Sequence, residues 1–202
     1  MNIVCSDLEG VFVPEIWINV AERTGIDALR MTTRDEPDYD VLMTKRLNIL
    51  KAHNLKLSDI ADVIAGMSPL PGAREFLDWM RSQVPVIVVS DTFTQFAGPL
   101  MRQLGWPTLF CNTLEIAPDG SVAGYRLRQN DGKRHVVEAL RSLNYRIVAM
   151  GDSYNDISML KTADAGILFR PPENVVTEFP QFPVVRDYDE LRPLMEKALA
   201  DG

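Results

Sequence analysis

Apolar residues along the chain gather in short runs, separated by polar stretches and by segments with helical spacing. Five of these runs are rich in β-branched residues and do not alternate with polar residues: 3–5, 86–89, 108–111, 147–150 and 166–169. Strands that are apolar on both faces are typical of a parallel sheet covered by helices on both sides. The pattern therefore predicts five buried parallel strands.

Between several of these runs, apolar residues recur every three or four positions. This spacing predicts helices over residues 73–82, 93–104 and 134–143, and Gly105 is placed to end the second of them. Strands and helices in alternation indicate an α/β fold with a doubly wound parallel sheet.

One long segment breaks this alternation, because the first two strands are separated by far more residues than a single crossover needs. Residues 14–71 have the pattern of several helices, with candidate stops at Thr24-Gly25, at the turn 34–40 containing Pro37, and at 66–72. We therefore predict an α/β core domain formed by residues 1–13 and 72–202, with residues 14–71 inserted as a small helical cap domain.

A second, shorter break covers residues 114–128. Two β-like stretches are separated there by Pro118-Asp119-Gly120. Pro, Asp and Gly favour tight turns, so this segment is predicted to form a β-hairpin.

Composition excludes several classes of protein. The 202 residues include 21 basic and 28 acidic side chains, the net charge is -7, and the basic residues are scattered, so we expect no nucleic-acid partner. No apolar stretch approaches the roughly 18 residues of a membrane span. The two cysteines, Cys5 and Cys111, lack the spacing of a metal site, which favours free thiols and a cytoplasmic protein. No oligomeric state is indicated.

Polar residues follow three of the predicted strands. They lie at residues 6–10, 90–92 and 151–156, each at the carboxyl end of a strand. One polar strand end is ordinary loop chemistry, but parallel strands end at the same edge of a sheet, where open α/β folds bind ligands. Three such ends with acidic residues predict one shared site.

The acidic residues of this predicted site are Asp7, Glu9, Asp152 and Asp156, and Lys133 is the nearest candidate cation. Like charges about 4 Å apart repel by roughly 4 kcal/mol at an effective dielectric constant of about 20, so the cluster requires a metal. Oxygen ligands without His or Cys favour Mg²⁺. A carboxylate beside Mg²⁺ can attack phosphorus, and Ser90 and Lys133 can hold phosphoryl oxygens.

Four segments carry a resemblance to a known family. In order and spacing, the sequence Asp7-Leu8-Glu9-Gly10-Val11, Ser90 after a strand, Lys133 at the start of a helix, and Gly151-Asp152-Ser153 followed by Asn155-Asp156 resemble the motifs of the haloacid dehalogenase superfamily. The helical insert resembles the cap of its phosphoserine phosphatases. Further stretches resemble members that also transfer the phosphoryl group to homoserine: 13–17, 38–43, 90–93, 173–176 and 179–182.

The resemblance implies roles for the acidic residues. Asp7 is expected to be the nucleophile and a Mg²⁺ ligand, and Asp152 a further ligand. Glu9 is expected to contribute its backbone carbonyl to the metal and its side chain as general acid and base. Most phosphatases of the superfamily have Asp at the position of Glu9, so the longer side chain changes the geometry of proton transfer.

The resemblance also implies a set of substrate-binding residues. Ser90, Lys133 and Asn155 are expected to bind the substrate or its phosphate, and Asp156 to orient Lys133 or a metal-bound water. Asp91 stands where phosphoserine phosphatases usually have glycine, so it is expected to bind an ammonium or hydroxyl group.

Within the predicted cap, Glu15 and Arg46 match a pair that holds the amino and carboxylate groups of an amino acid. The planar guanidinium of Arg suits a carboxylate because it binds two oxygens. From spacing alone, these two charged residues of predicted helices equally suit a solvated face.

The function implied is a Mg²⁺-dependent phosphoserine phosphatase that forms a phospho-aspartate and passes phosphate to water or homoserine. Two alternatives remain: a phosphatase for another small phosphomonoester, and a phosphate-binding module without catalysis. The presence of Asp7, Ser90, Lys133 and Asp152 argues against the second alternative.

Overall fold

The computed structural model of the protein describes residues 1–33, 35–36 and 38–201. The strands are β1 (Asn2–Ser6), β2 (Val86–Phe93), β3 (Thr108–Ile116), β4 (Val122–Arg126), β5 (Arg146–Gly151), β6 (Ala165–Phe169) and β7 (Val184–Val185). The α-helices are α1 (Ile16–Thr24), α2 (Tyr39–Ala52), α3 (Leu57–Ala65), α4 (Ala73–Gln83), α5 (Thr94–Gln103), α6 (Gly132–Ser142), α7 (Ile157–Thr162), α8 (Glu173–Glu178) and α9 (Tyr188–Ala200).

The strands form one sheet in the order β4-β3-β2-β1-β5-β6-β7. All neighbouring strands are parallel except β3 and β4, which are antiparallel. Strand β1 is central, with Val4 paired to Val86 of β2 on one side and to Val148 of β5 on the other. Strands β2 to β4 lie on one side of β1, and β5 to β7 lie on the other. Because the strand order reverses at β1, a crevice opens at its carboxyl end, where such folds bind ligands.

Helices cover both faces of the sheet, as the apolar strands require. Val4 of β1 belongs to one apolar cluster, which also contains Leu77 of α4 and Met195 of α9. Cys5 faces the opposite cluster with Val137 of α6. Neighbouring residues of a strand point to opposite faces, so β1 is buried on both. The predicted doubly wound α/β fold is confirmed.

All five predicted strands are present, and β2 and β3 extend further than expected. Strand β2 continues through Phe93, and its pairing with β3 shifts between Val89 and Phe93. The predicted hairpin is formed by β3 and β4, with Leu114 opposite Tyr125. The sequence analysis did not predict β7, which has only two residues.

Residues 14–71 contain helices α1, α2 and α3. Helix α1 ends as predicted at Thr24, and Gly25 has a positive φ of 70°. The predicted turn at 34–40 includes Arg34 and Pro37, which lie outside the described residues. After it, Asp38 caps α2 by accepting the backbone N–H groups of the second and third helical residues.

No α-helix in the described ranges is long and apolar enough to cross a membrane.

Helix α9 holds the loop that follows β1. The ring of Tyr188 stacks on Phe76, with ring centres 5.0 Å apart, and on Phe169, with ring centres 4.9 Å apart. Its hydroxyl donates a hydrogen bond of 2.5 Å to the carbonyl of Val11. The C-terminal helix therefore fixes the backbone a few residues after the end of β1.

Two substitutions at Tyr188 separate the stack from the hydrogen bond. We expect Tyr188→Phe to lower the free energy of unfolding by about 1 kcal/mol, because the stack stays and one hydrogen bond is lost. Tyr188→Ala removes the ring as well and is expected to cost about 3 kcal/mol or more. Urea denaturation measures both, and equal losses in the two variants would contradict this division.

Candidate active site

Three carboxylates meet at the carboxyl ends of the central strands. Asp7 directly follows β1, and Asp152 directly follows β5. Oxygens of Asp7, Asp152 and Asp156 lie within 4.8 Å of one another, and all three side chains are buried. Parallel pairing of β1 with β5 places these loops side by side, so the convergence follows from the register.

Lys133 lies in the first turn of α6 and joins two of these carboxylates. Its Nζ is 2.8 Å from an oxygen of Asp7 and 2.7 Å from an oxygen of Asp156, and its side chain is only 3% exposed. Burial lowers the pKa of the ammonium group, but the charges of Asp156 and Asp7 outweigh burial and raise it. Lys133 is therefore a charged ammonium at neutral pH.

Asp156 is fully buried and uses both of its carboxylate oxygens. One accepts a hydrogen bond from Lys133, and the other accepts the backbone N–H groups of Asp152 and Ser153 at 3.0 and 3.1 Å. A Cβ atom at Gly151 would lie 2.3 Å from Cγ of Asp156, so glycine is required there. Asp156 thus positions both Lys133 and the loop that carries Asp152.

The charged groups around Asp7 carry more negative than positive charge. Burial raises the pKa of the Asp7 carboxyl well above its usual range, the charges of Asp156 and Asp152 raise it further, and Lys133 opposes them. In the described part of the chain, Lys133 contacts two of the three buried carboxylates, so one positive charge faces three negative charges and the donor set fits a bound cation.

Asp152 and Asp7 are the carboxylates best placed to hold such a cation, because both oxygens of Asp156 already accept hydrogen bonds. The loop after Asp7 approaches Asp152 closely. At Gly10, which has a φ of 75°, a Cβ atom would lie 2.5 Å from an oxygen of Asp152. Glycine at this position lets the Glu9 backbone run beside Asp152.

Glu9 is held at the entrance to α1. One of its carboxylate oxygens accepts the backbone N–H of Ile16, the first residue of that helix, at 2.8 Å. Burial, together with the nearby charge of Glu15, raises the pKa of Glu9 to about 8. The N–H of Ile16 and the charges of Arg46 and Lys133 lower this pKa, but by less. A carboxyl that keeps its proton near neutral pH is suited to general acid catalysis.

Arg46 of α2 is buried among apolar and sulfur groups, with an exposure of 6%. Its guanidinium carbon lies 4.6 Å from the centre of the Trp17 ring, and Nη2 donates to the carbonyl of Met31 at 2.8 Å. Burial lowers its pKa to about 10, so it stays charged at neutral pH. A solvated surface position for Arg46, the alternative from spacing alone, is therefore wrong.

Asp91 connects the sheet to two other elements. Its side chain accepts a hydrogen bond from the amide of Asn155 at 2.9 Å, and its backbone carbonyl accepts one from the hydroxyl of Tyr39 at 3.0 Å. Its carboxylate is 3.9 Å from Nζ of Lys133. Asp91 therefore lies beside Lys133, and the negative charge of its carboxylate acts on any ligand bound there.

A small cavity with a volume of about 60 Å³ joins these groups. Nine of the ten residues singled out from the sequence line it, and they are Asp7, Glu9, Glu15, Arg46, Ser90, Asp91, Lys133, Asp152 and Asn155. The tenth, Asp156, lies behind Lys133. A larger cavity of about 540 Å³ shares Tyr39, Asp91, Lys133 and Asn155 with it and lies on its outer side.

Several cavity residues escaped the sequence analysis. Trp17, Thr32, Thr33, Tyr39, Thr92 and Ser153 also line the small cavity. Thr92 and Ser153 had a signal, because they belong to the polar strand ends 90–92 and 151–156, but the others lie on elements whose docking the sequence did not predict.

The fold and the acidic site are those of a known class of enzyme. The family model of the haloacid dehalogenase-like hydrolases matches residues 8–164 of the chain. The chain belongs to this hydrolase family, as its four motifs predicted.

Individual relatives are more similar still. Over 198 residues the chain is 61% identical to the phosphoserine phosphatase ThrH of Pseudomonas aeruginosa, a match covering 98% of this chain and 97% of the relative. It is 59% identical over 198 residues to a phosphoserine phosphatase of Pseudomonas syringae pv. tomato, covering 98% of this chain and 84% of the relative.

A solved structure shares the fold. It is described as a phospho-aspartyl intermediate analogue of phosphoserine phosphatase and aligns with a TM-score of 0.79 at 23% sequence identity. The alignment covers 95% of this chain and 97% of that chain.

The two acidic neighbours of Lys133 are expected to differ in their effect on stability. Asp156→Ala leaves a buried ammonium without its main partner, so we expect the free energy of unfolding to fall by about 3 to 5 kcal/mol. The control is Asp91→Ala, because the Asp91 side chain is 36% exposed and lies 3.9 Å from Lys133. It should cost about 1 kcal/mol or less. Chemical denaturation measures both, and similar losses would show that Asp156 does not anchor Lys133.

Proposed function

We propose that this protein hydrolyses phosphoserine with Mg²⁺, through a phospho-aspartate on Asp7, and that it also transfers the phosphoryl group to homoserine. One observation carries the proposal. A single buried cavity is lined by phosphate-binding chemistry, in Asp7 and Lys133, and by the opposite charges of Glu15 and Arg46. These are the groups that an amino-acid phosphate ester requires at its two ends.

The names of the relatives support the substrate. Both Pseudomonas proteins are phosphoserine phosphatases, and the match extends over nearly the whole of this chain. At such identity over full length, the residues of the substrate pocket are expected to be largely shared.

At the phosphate end, Lys133 is positioned to neutralise a phosphoryl oxygen, because its Nζ already lies 2.8 Å from the attacking carboxylate of Asp7. The Ser90 hydroxyl provides a further hydrogen bond. Mg²⁺ fits the oxygen donors Asp7, Asp152 and the Glu9 carbonyl, and when bound it supplies the positive charge that this buried cluster lacks.

In the first step, an oxygen of Asp7 forms a bond to phosphorus while the bond from phosphorus to the serine oxygen breaks. Glu9 gives its proton to that oxygen, for which the raised pKa of about 8 suits it. In the second step, water or the hydroxyl of homoserine attacks phosphorus and loses its proton to Glu9. The Asp7 carboxylate leaves, and the enzyme returns to its starting state.

At the other end of the cavity, we assign Arg46 to the substrate carboxylate and Glu15 to its ammonium group. Trp17 lies against the guanidinium, 4.6 Å from ring centre to carbon, and restricts its orientation. A positioned guanidinium binds the flat carboxylate better than a mobile one. We assign Asp91 and Asn155 to the region between the two ends, where serine leaves and an acceptor enters.

We further propose that residues 14–71 act as a cap over a core of residues 1–13 and 72–202. Two tyrosines hold the start of α2 against the core. Tyr39 donates to the carbonyl of Asp91, and Tyr125 of β4 donates to Asp40. A closed cap excludes water from the phospho-aspartate and gives a second amino acid time to react. Two free, buried cysteines accord with a cytoplasmic reaction.

Asp7→Asn tests the covalent mechanism. We expect the rate of phosphate release from phosphoserine to fall by at least about three orders of magnitude, or roughly 4 kcal/mol, because the nucleophile is lost. The uncharged amide removes a buried negative charge, so the thermal unfolding midpoint serves as the control for folding. Near-normal turnover by the folded variant would refute the mechanism.

Removal of metal tests the cation. Turnover of phosphoserine is expected to stop in excess chelator, to return with Mg²⁺, and to be inhibited by Ca²⁺. The reason is that Ca²⁺ accepts about six to eight oxygen ligands at longer distances and so misplaces Asp7. Full activity in chelator, measured as phosphate release, would exclude the metal assignment.

Transfer to an acceptor tests the second half of the proposal. Serine and homoserine differ by one methylene, which a pocket discriminates by only about 1 to 3 kcal/mol. Homoserine at millimolar concentration is therefore expected to enter where serine leaves and to give phosphohomoserine beside free phosphate. Phosphorus NMR distinguishes the two products. If inorganic phosphate alone is the product at every homoserine concentration, the transferase activity is excluded and the protein is a hydrolase without it.

A further inference from the structure

Thr92 carries a buried hydroxyl with no partner. The residue lies in the last part of β2 and is 4% exposed. Its Oγ1 has no hydrogen-bond partner among the residues that the structure describes. Buried polar side chains in native proteins are nearly always hydrogen-bonded, so an exception at a cavity wall indicates a group that a ligand completes.

Thr92 lies on the same side of β2 as Ser90, because the two residues are two positions apart, and the strand irregularity brings Asp91 to this side as well. In a regular strand, successive side chains point to opposite faces, so Ser90 and Asp91 would not line the same cavity. Here the pairing of β2 with β3 shifts between Val89 and Phe93, and Ser90, Asp91 and Thr92 all line the small cavity. The backbone N–H of Thr92 donates to the hydroxyl of Ser90 at 3.2 Å. Irregularities of this kind re-aim side chains beside active sites.

A second buried donor without a partner lines the same cavity. Nε of Arg46 has no hydrogen-bond partner among the described residues, while its Nη2 donates to Met31 and its Nη1 contacts the sulfur of Met43. The two orphaned groups lie on α2 and β2, elements far apart in sequence. Both residues line the same cavity of about 60 Å³, so one ligand group that accepts two hydrogen bonds there can pair with both.

We propose that the hydroxyl of Thr92 donates to the substrate carboxylate alongside Arg46, and so makes Thr92 a specificity-determining residue. This inference rests on the proposed function. A guanidinium is a positively charged donor without acceptor capacity, so the group that it shares with Thr92 is an acceptor, and an anionic oxygen pairs with it more strongly than a neutral one. The proposed function assigns the phosphoryl group to Asp7 and Lys133 and the substrate carboxylate to Arg46, so the group that Thr92 shares with Arg46 is the carboxylate. Thr92 therefore selects phosphate esters of amino acids over esters without a carboxylate.

The test compares Thr92→Val, which removes the hydroxyl at similar volume, with Thr92→Ser, which retains it. Substrates are phosphoserine and p-nitrophenyl phosphate, which has no carboxylate. We expect Thr92→Val to raise KM for phosphoserine by about tenfold with little change in kcat, as for a lost hydrogen bond to a charged group. KM for p-nitrophenyl phosphate should stay within about twofold, and Thr92→Ser should restore phosphoserine binding.

Thermal unfolding of the ligand-free protein gives a second readout. Removing a hydroxyl that has no partner is expected to leave the unfolding temperature of Thr92→Val unchanged or raised. The matched control is Thr32→Val, since Thr32 lines the same cavity but its hydroxyl donates to Asp35 at 3.3 Å. That variant should be destabilised. A purely structural Thr92 would instead lose stability and affect both substrates equally.

The outcomes separate the two levels of the proposal. If the wild-type protein hydrolyses p-nitrophenyl phosphate but not phosphoserine, the proposed function fails, and the role of Thr92 fails with it. If phosphoserine is hydrolysed and Thr92→Val has an unchanged KM, only the inference about Thr92 is overturned. Equal losses on both substrates, or a loss that Thr92→Ser does not restore, overturn it as well.

Discussion

The buried contact of Lys133 with Asp7 and Asp156 is the constraint on which the site depends. An ammonium group at 3% exposure is stable only beside carboxylates, and those carboxylates are stable only with a compensating charge. Asp156 also accepts the two backbone N–H groups that shape the Asp152 loop. One network therefore sets the positions of Asp7, Lys133 and Asp152, the residues proposed to attack phosphorus, to hold the phosphate and to bind the metal. The remaining negative charge creates the need for a cation.

The rest of the cavity is built from elements that are distant in sequence. The end of β2 supplies Ser90 and Thr92, and helix α2 brings Arg46 and Tyr39 over them. Arg46 and Thr92 each carry a buried polar atom without a partner in the described residues. Such groups reduce the stability of the ligand-free protein and strengthen the binding of a ligand that pairs with them. This arrangement accords with the proposed substrate, which carries a phosphate and a second anionic group.

Two acidic residues of the site, Glu9 and Asp91, link the sheet to neighbouring elements. Glu9 reaches the N–H at the start of α1, which ties the candidate proton donor to the helical segment rather than to the core alone. The side chain of Asp91 accepts a hydrogen bond from Asn155, in the loop after β5, and its backbone carbonyl accepts one from Tyr39, so Asp91 connects β2 with that loop and with α2. The position of the helical segment therefore affects both Glu9 and Asp91, which accords with the proposed role of this segment as a cap.

The sequence by itself determined the sheet, the family and most of the candidate site. Apolar runs without alternation require strands buried on both faces, and acids at the ends of three parallel strands meet because the register brings those ends together. Tertiary structure alone decided the burial of Arg46 and the hydrogen bond of Tyr39 to Asp91. Those features depend on how α2 docks on the sheet, which leaves no local pattern in the residues. Thr92 stands in the polar strand end 90–92, and only its lack of a hydrogen-bond partner among the described residues required the structure. Strand β7 escaped prediction for a related reason, since two residues are too few to show a period.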